Sequence, residues 1–158
     1  MNPAGLATLA TFGATWAILA AGHNLADHVT GQTDKQALAK GAPTPKEIAE
    51  GASPRRGWGA NLRHVAAYHA TLITIGGLAW AFLPLAWSPL GIVLALAWSA
   101  GTHAFLDRRW PVRWILRHTG SAGFAELAGN GLNGMWMSDQ ALHGAALLIA
   151  AIILAVTK

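Results

Sequence analysis

Four stretches of the chain run almost without charge for the length that a helix needs to cross a bilayer. They are Pro3–Gly22, Val65–Leu83, Ser88–Thr102 with its flanks, and Gln140–Thr157. About 17–25 residues at 1.5 Å each cover the ~30 Å of hydrocarbon. The pattern therefore predicts an all-α, integral membrane four-helix bundle, up-down-up-down, as a single domain over residues 1–158 with spans at about 4–24, 62–83, 89–107 and 138–157. No Lys or Arg precedes the first stretch, so it reads as a retained span and not as a signal peptide.

Between the spans the polar positions carry helix punctuation. Thr33-Asp-Lys-Gln36 and Thr44-Pro-Lys-Glu47 both have capping-box spacing, and Gly41 and Gly51 follow as stops, which predicts two short helices. Pro111–His118 places Arg113 and Arg117 on one face amid Val112, Trp114, Ile115 and Leu116, as in a short helix lying at a cytoplasmic membrane interface. The glycine-rich segment from Gly120 to Gly134 predicts a mobile or tightly turned connection.

Composition strengthens the membrane reading. The chain is 53% apolar and 11% charged, too apolar and charge-poor for an ordinary soluble domain. Of eleven Lys and Arg, six lie between spans one and two (Lys35, Lys40, Lys46, Arg55, Arg56, Arg63), and four between spans three and four (Arg108, Arg109, Arg113, Arg117). The turn around Pro84–Pro89 carries none. By the positive-inside rule both basic loops are cytoplasmic and both termini outside, in the plasma (inner) membrane of a cell. Topology thus accounts for the basic balance, and nucleic acid is not an expected partner. Trp80 and Trp87 would mark the outer interface and Trp58, Trp110, Trp114 and Trp136 the inner one, while Trp16 and Trp98 would pack between helices.

The polar residues at the ends of the spans carry the candidate chemistry. His23/Asp27, His103/Asp107 and Asp139/His143 are all spaced by four, so each pair shares a helix face. Random placement of seven histidines and four aspartates would give only about 0.35 such pairs. In the predicted topology these ends, with His64 at the start of span two, converge on the cytoplasmic side. Ionisable groups inside a membrane bundle are functional candidates by default. There is no cysteine, so an ion would be held by nitrogen and oxygen, a set suited to a divalent metal such as Zn or Mn. The metal candidates are His23, His64, His103, Asp107 and His143, with Asp27 and Asp139 as catalytic base or further ligand, and Arg108 and Arg109 as binders of an anionic substrate group. The alternative for each pair is structural, the histidine donating to its own aspartate one turn away. His69 points about 140° from His64 and is expected to hydrogen-bond within the packing. Tyr68 shares the face of His64. His28 and His118 belong to interfacial loops, and the Arg108-Arg109-Trp110-Pro-Val-Arg113 run also suits an anchor.

His23-Asn-Leu-Ala-Asp27 with Gln32 and Lys40, His64-Val-Ala-Ala-Tyr68, His103-Ala-Phe-Leu-Asp107 and Asp139-Gln-Ala-Leu-His143 resemble the motifs of domain-of-unknown-function family 3307 over nearly the whole chain. The run from His103 through Arg113 looks like its actinobacterial branch. The resemblance implies a small bacterial or phage membrane protein and carries no activity with it. Asp27 and Gln32 are five apart here, where the family has four. A looser similarity is to small membrane proteins labelled as metal-dependent hydrolases.

Three functions follow as expectations. The first is metal-dependent hydrolysis of a phosphate- or ester-containing membrane-associated substrate. The second is proton or divalent-cation transport, against which the uncharged outer halves of the spans weigh. The third is a scaffold recruiting a cytoplasmic protein through Gln32–Asn61. The lipid bilayer is a partner in all three, and homo-oligomerisation stays open.

Overall fold

A computed structural model describes residues 2–158. Four of its helices are long and apolar enough to cross a membrane. The first, α1 (Pro3–Leu25), continues through a π-helical turn, Ala26–Thr30; the others are α4 (Trp58–Phe82), α5 (Pro89–Leu106) and α7 (Gly134–Val156). Between α1 and α4 lie the short helices α2 (Asp34–Ala39) and α3 (Pro45–Ala49). After α5 come α6 (Trp110–His118), a 3-10 turn at Ala122–Glu126 and a two-residue antiparallel ladder, β1 (Ala128–Gly129) with β2 (Leu132–Asn133).

Capping side chains explain where the helices begin. Asn2, Ser88 and Asn133 each accept from a backbone N–H three residues on, and Pro follows the first two. Thr33 with Gln36 and Thr44 with Glu47 both form reciprocal capping boxes, so the two predicted loop helices are present. Helices α4 and α7 start four residues ahead of the expected 62 and 138. Gly57 and Asn133 open them before the apolar pattern sets in, and hydropathy does not register a cap. The Gly120–Gly134 segment is tightly turned, its ladder reversing through Asn130 and Gly131 at positive φ.

At one end, Trp87 Nε1 donates to Thr15 Oγ1 at 2.8 Å and Ser88 Oγ to the Thr157 carbonyl at 3.0 Å. The middle of α1, the α4–α5 turn and the end of α7 therefore meet there. Small residues, Ala95 on α5 and Ala150 on α7, bring these two helices together, with Leu19 and Leu154 packed beside them. Trp98 does not pack as deeply as expected: it lies 38% exposed along α7 and donates to the Ala146 carbonyl. Between α4 and α5 an apolar cavity of about 330 Å³ is bordered by Gly76, Gly77, Trp80 and Trp87.

The distribution of polarity inverts that of a water-soluble bundle. His64, Asn61, Asp107 and His103 are buried, while Leu9, Val93 and Phe82 stand on the outside. A second apolar cluster, Leu106, Val112, Leu116 and Ala125, seats α6 against the end of α5.

The loop containing α2 and α3 is fastened to the end of α5 by Arg108. Its guanidinium donates to the carbonyls of Lys40 at 2.9 Å and Arg56 at 2.7 Å and lies 4.6 Å over the Trp58 ring. Gly57 makes the fit possible, because at φ +89° it crosses the left-handed region and a Cβ would overlap the carbonyls of Gly41 and Ala39. Gly57→Ala is expected to lower stability by about 2 kcal/mol or more. Gly77→Ala, with open space around the new Cβ, should be neutral or stabilising by up to ~1 kcal/mol. Thermal unfolding in detergent separates the two, and equal melting temperatures would refute the clamp.

Candidate metal centre

The site is assembled from the last turns of α1 and α5 and the first turns of α4 and α7. The π turn after Leu25 adds a residue to the helical repeat and rotates Asp27 out of line with His23. Gln32 steadies this turn by donating to the Asp27 backbone carbonyl at 2.6 Å. Helix α4 presents Asn61, His64 and Tyr68 on one wholly buried face. Asn61 donates to the Ala104 carbonyl and so ties α4 to α5 just before Asp107.

Four atoms then face one another. Asp27 Oδ1 lies 3.0 Å from His64 Nε2 and 3.7 Å from His103 Nε2. Asp107 Oδ2 lies 3.3 Å from His64 Nε2 and 3.4 Å from His103 Nε2. The two imidazole nitrogens are 2.9 Å apart. A tetrahedral ion with ligands at ~2.0–2.1 Å has ligand-to-ligand edges of ~3.3 Å, and the contacts of each carboxylate oxygen with the two imidazole nitrogens lie near that length.

The protons point the same way. His64 Nδ1 donates to the Gly31 carbonyl at 2.9 Å, so in the neutral ring Nε2 is a lone pair facing a carboxylate oxygen. Asp27 Oδ1 and Asp107 Oδ2, the oxygens aimed at the centre, are buried without a donor. His143 repeats the arrangement: Nδ1 donates to the Asp139 carbonyl, and Nε2 is buried, unpartnered and 4.0 Å from Asp107 Oδ1. Acceptors that converge in a buried space require either extra protons or a cation. Two triads, Asp27/His64/His103 and His103/Asp107/His143, have ligand atoms spaced for an ion, and both use His103.

A hydrogen-bond relay orients Asp27 from behind. Gln140 Nε2 donates to Asp27 Oδ2 at 2.9 Å, which turns Gln140 Oε1 toward His23 Nε2 at 2.9 Å. His23 Nδ1 is then left to accept the Tyr68 hydroxyl at 3.0 Å. Both nitrogens of His23, one of the five expected ligands, are thereby engaged, and it stands one step behind the carboxylate. Of the three spaced pairs, His103/Asp107 keeps its intrahelical contact, whereas Asp27 faces His64 and His143 Nδ1 donates to the Asp139 carbonyl. His69 bonds the Val65 carbonyl and Ser99 at the edge of the apolar cavity, and the Tyr68 ring lies 4.1 Å from that of His103.

Lys40 is the residue that spacing did not single out for the site. Its ammonium reaches Asp107 Oδ1 at 2.9 Å and Asp27 Oδ1 at 3.9 Å, bringing one fixed positive charge to the rim. Lys40 and Gln140 stood among the residues of the resembling motifs, with no site role read for either from spacing. A polar cleft of about 320 Å³ opens beside the cluster, bordered by Asp27, Asp107, Asp139, Lys40, Arg109 and Gln140. Asp139 Oδ1 is unpartnered there. Arg109 lies on the cleft wall with one N–H on the Ala37 carbonyl, whereas Arg108 is turned into the loop and 3% exposed. Compared with protein-family models, curated proteins and solved structures, the chain matches none.

Arg108→Ala would strip donors from two loop carbonyls, at a cost of ~2–4 kcal/mol for charged hydrogen bonds in a buried setting. Limited proteolysis is expected to cut the segment between Lys40 and Gly57 faster, while Arg109→Ala leaves it protected. Equal cleavage rates would show that Arg108 does not hold the loop.

Proposed function

We propose that this chain is an up-down-up-down integral protein of a bacterial plasma (inner) membrane, with both termini outside, the topology following from the apolar helices and the basic loops and the bacterial source from the resemblance to family 3307. Its cluster would bind one divalent cation, Zn or Mn. The observation that carries this reading is the pair of buried triads that share His103, Asp27/His64/His103 and His103/Asp107/His143, whose ligand atoms lie within 4.8 Å of one another, with no donor on Asp27 Oδ1 or Asp107 Oδ2. Zinc suits imidazole nitrogen beside carboxylate oxygen, and Mn accepts the same oxygens. His23, Tyr68 and Gln140 act through Asp27 by holding its second oxygen.

The activity proposed is hydrolysis of an anionic phosphate- or ester-containing substrate at the membrane surface. A bound divalent ion supplies Lewis acidity toward a phosphoryl or acyl oxygen. Asp139, on the cleft wall with a free oxygen, takes the proton of the attacking water. Arg109 and Lys40 meet the substrate's negative charge on the same wall. A second reading rests on the adjacency of the two triads: a fourth protein ligand that completed either one would close the zinc site, as in structural centres. In that case the ion only locks the four helix ends together.

Elemental analysis of detergent-purified protein is expected to find one Zn or Mn per chain. His64→Ala or His103→Ala should remove most of it, Gln140→Ala should weaken binding ~10–100-fold, and His69→Ala should leave it unchanged. Protein without stoichiometric metal, and with a melting temperature indifferent to chelator and to added ion, would refute the centre. If metal is present, loss of phosphatase and esterase turnover in Asp139→Asn at full occupancy separates the hydrolase from the closed site.

Topology has its own test. Reporters fused after Lys158 and within Pro84–Pro89 are expected outside, and those in either basic loop inside. A cytoplasmic signal from the carboxy terminus would reverse the orientation.

A further inference from the structure

On the other side of Arg109 and Arg113 from the His/Asp cleft lies a larger cleft of about 930 Å³, between α6 and the α2–α3 loop. Arg113 and Arg117 are spaced by four on one face of α6, and Arg109 at its N-cap adds a third guanidinium to the lining of the cleft. Like charges at that spacing repel, and the arrangement lacks an internal remedy. Glu47 is the single carboxylate among the described residues lining this cleft. It is already held by the Thr44 N–H and by Arg56, which keep its carboxyl at about 2, so it remains ionised and committed. Arg113 Nε is buried with no acceptor. Arg109 is held at φ +66°, a region that side chains other than Gly rarely adopt, and this conformation opens α6 beside the cleft.

The apolar surroundings narrow the occupant. Trp110 and Trp114 continue along α6 beside the arginines and are about half exposed, and Leu38 on the opposite wall is 79% exposed. A free anion has no use for such a rim. A phosphate that arrives with hydrocarbon attached does, and an interfacial helix with Trp and Arg side by side is built for that boundary.

We propose that this cleft binds the phosphodiester headgroup of an anionic phospholipid from the adjacent leaflet, with Arg113 and Arg117 on the phosphate and Trp110 and Trp114 against the start of the acyl chains. The site rests on the membrane reading but not on the metal, so the two can fail separately. Because Arg109 and Arg113 also border the His/Asp cleft, a lipid phosphate held here lies at the wall of that cleft.

The test is a lipid titration of detergent-purified protein followed by native mass spectrometry, with metal content measured on the same samples. Phosphatidylglycerol is expected to be retained at least about tenfold more tightly than phosphatidylcholine of the same chains. Arg113→Gln with Arg117→Gln should abolish the preference. Arg117→Gln alone, at an exposed position, should reduce it severalfold without loss of folding, and Lys46→Gln, outside the cleft, should not. Equal retention of the two lipids, or an unchanged preference in the double variant with its thermal unfolding intact, would overturn the site. Full displacement by equimolar glycerol 3-phosphate would reassign it to a free phosphate and also overturn the lipid proposal. Release of the protein from membranes by alkaline carbonate would mean that the membrane reading had failed instead.

Discussion

Two carboxylates buried side by side at the junction of four apolar helices set the terms for everything around them. Asp27 and Asp107 are each 2% exposed and share the neighbourhood of His64 and His103. Leaving such charges unbalanced in a medium of low dielectric costs several kcal/mol each even after relaxation. The surrounding structure can be read as a set of answers to that cost. Lys40 brings a positive charge up from the loop, Gln140 donates to the outer oxygen of Asp27, and the Nε2 lone pairs of His64 and His143 face the carboxylates beside His103, where a cation would be balanced.

That requirement explains why a chain so poor in charge invests its polar residues in holding a loop down. Lys40 can reach Asp107 only while the segment after α2 stays pressed against the end of α5. Arg108 holds it there through the carbonyls of Lys40 and Arg56, and the Ala42 N–H returns a bond to the Arg108 carbonyl. Arg108 therefore serves the site by placing another residue's charge. The reading of Arg108 and Arg109 as equivalent anion binders assumed that neighbours in sequence face the same way. At the end of a helix, with Arg109 at positive φ, they do not.

Much of this was legible beforehand, for specific reasons. Helix positions followed from hydropathy and from capping residues, both local signals, and the two loop capping boxes formed as their spacing required. Convergence of His64, His103, Asp107, Asp139 and His143 was expected from their places at the ends of successive apolar runs, on the assumption that those runs alternate in direction. What spacing could not show was the π turn at Ala26–Thr30. A four-residue interval was read as a shared face, yet one extra residue in the repeat sends His23 to Tyr68 and Gln140 and Asp27 to His64. Lys40 and Gln140 were obscure for a different reason. Their partners are 67 and 113 residues away in sequence, and no local pattern encodes a contact of that kind.

The loop that neutralises the carboxylates is also the wall of the basic cleft. Lys40 touches Asp107, and the next residue, Gly41, lies so close to the Arg109 side chain that even a Cβ would meet it at 3.1 Å. A displacement of this segment toward α6 would thus draw the ammonium from Asp107 and crowd the guanidinium of Arg109 in one movement. A dication held by either triad would repel Lys40, and an anion in the basic cleft would attract Arg109, which touches the next residue. Occupation of both proposed sites would therefore couple them through the Coulomb forces on one stretch of backbone. A ligand at either would change the position that costs least for the other, and by reciprocity the influence would run in both directions.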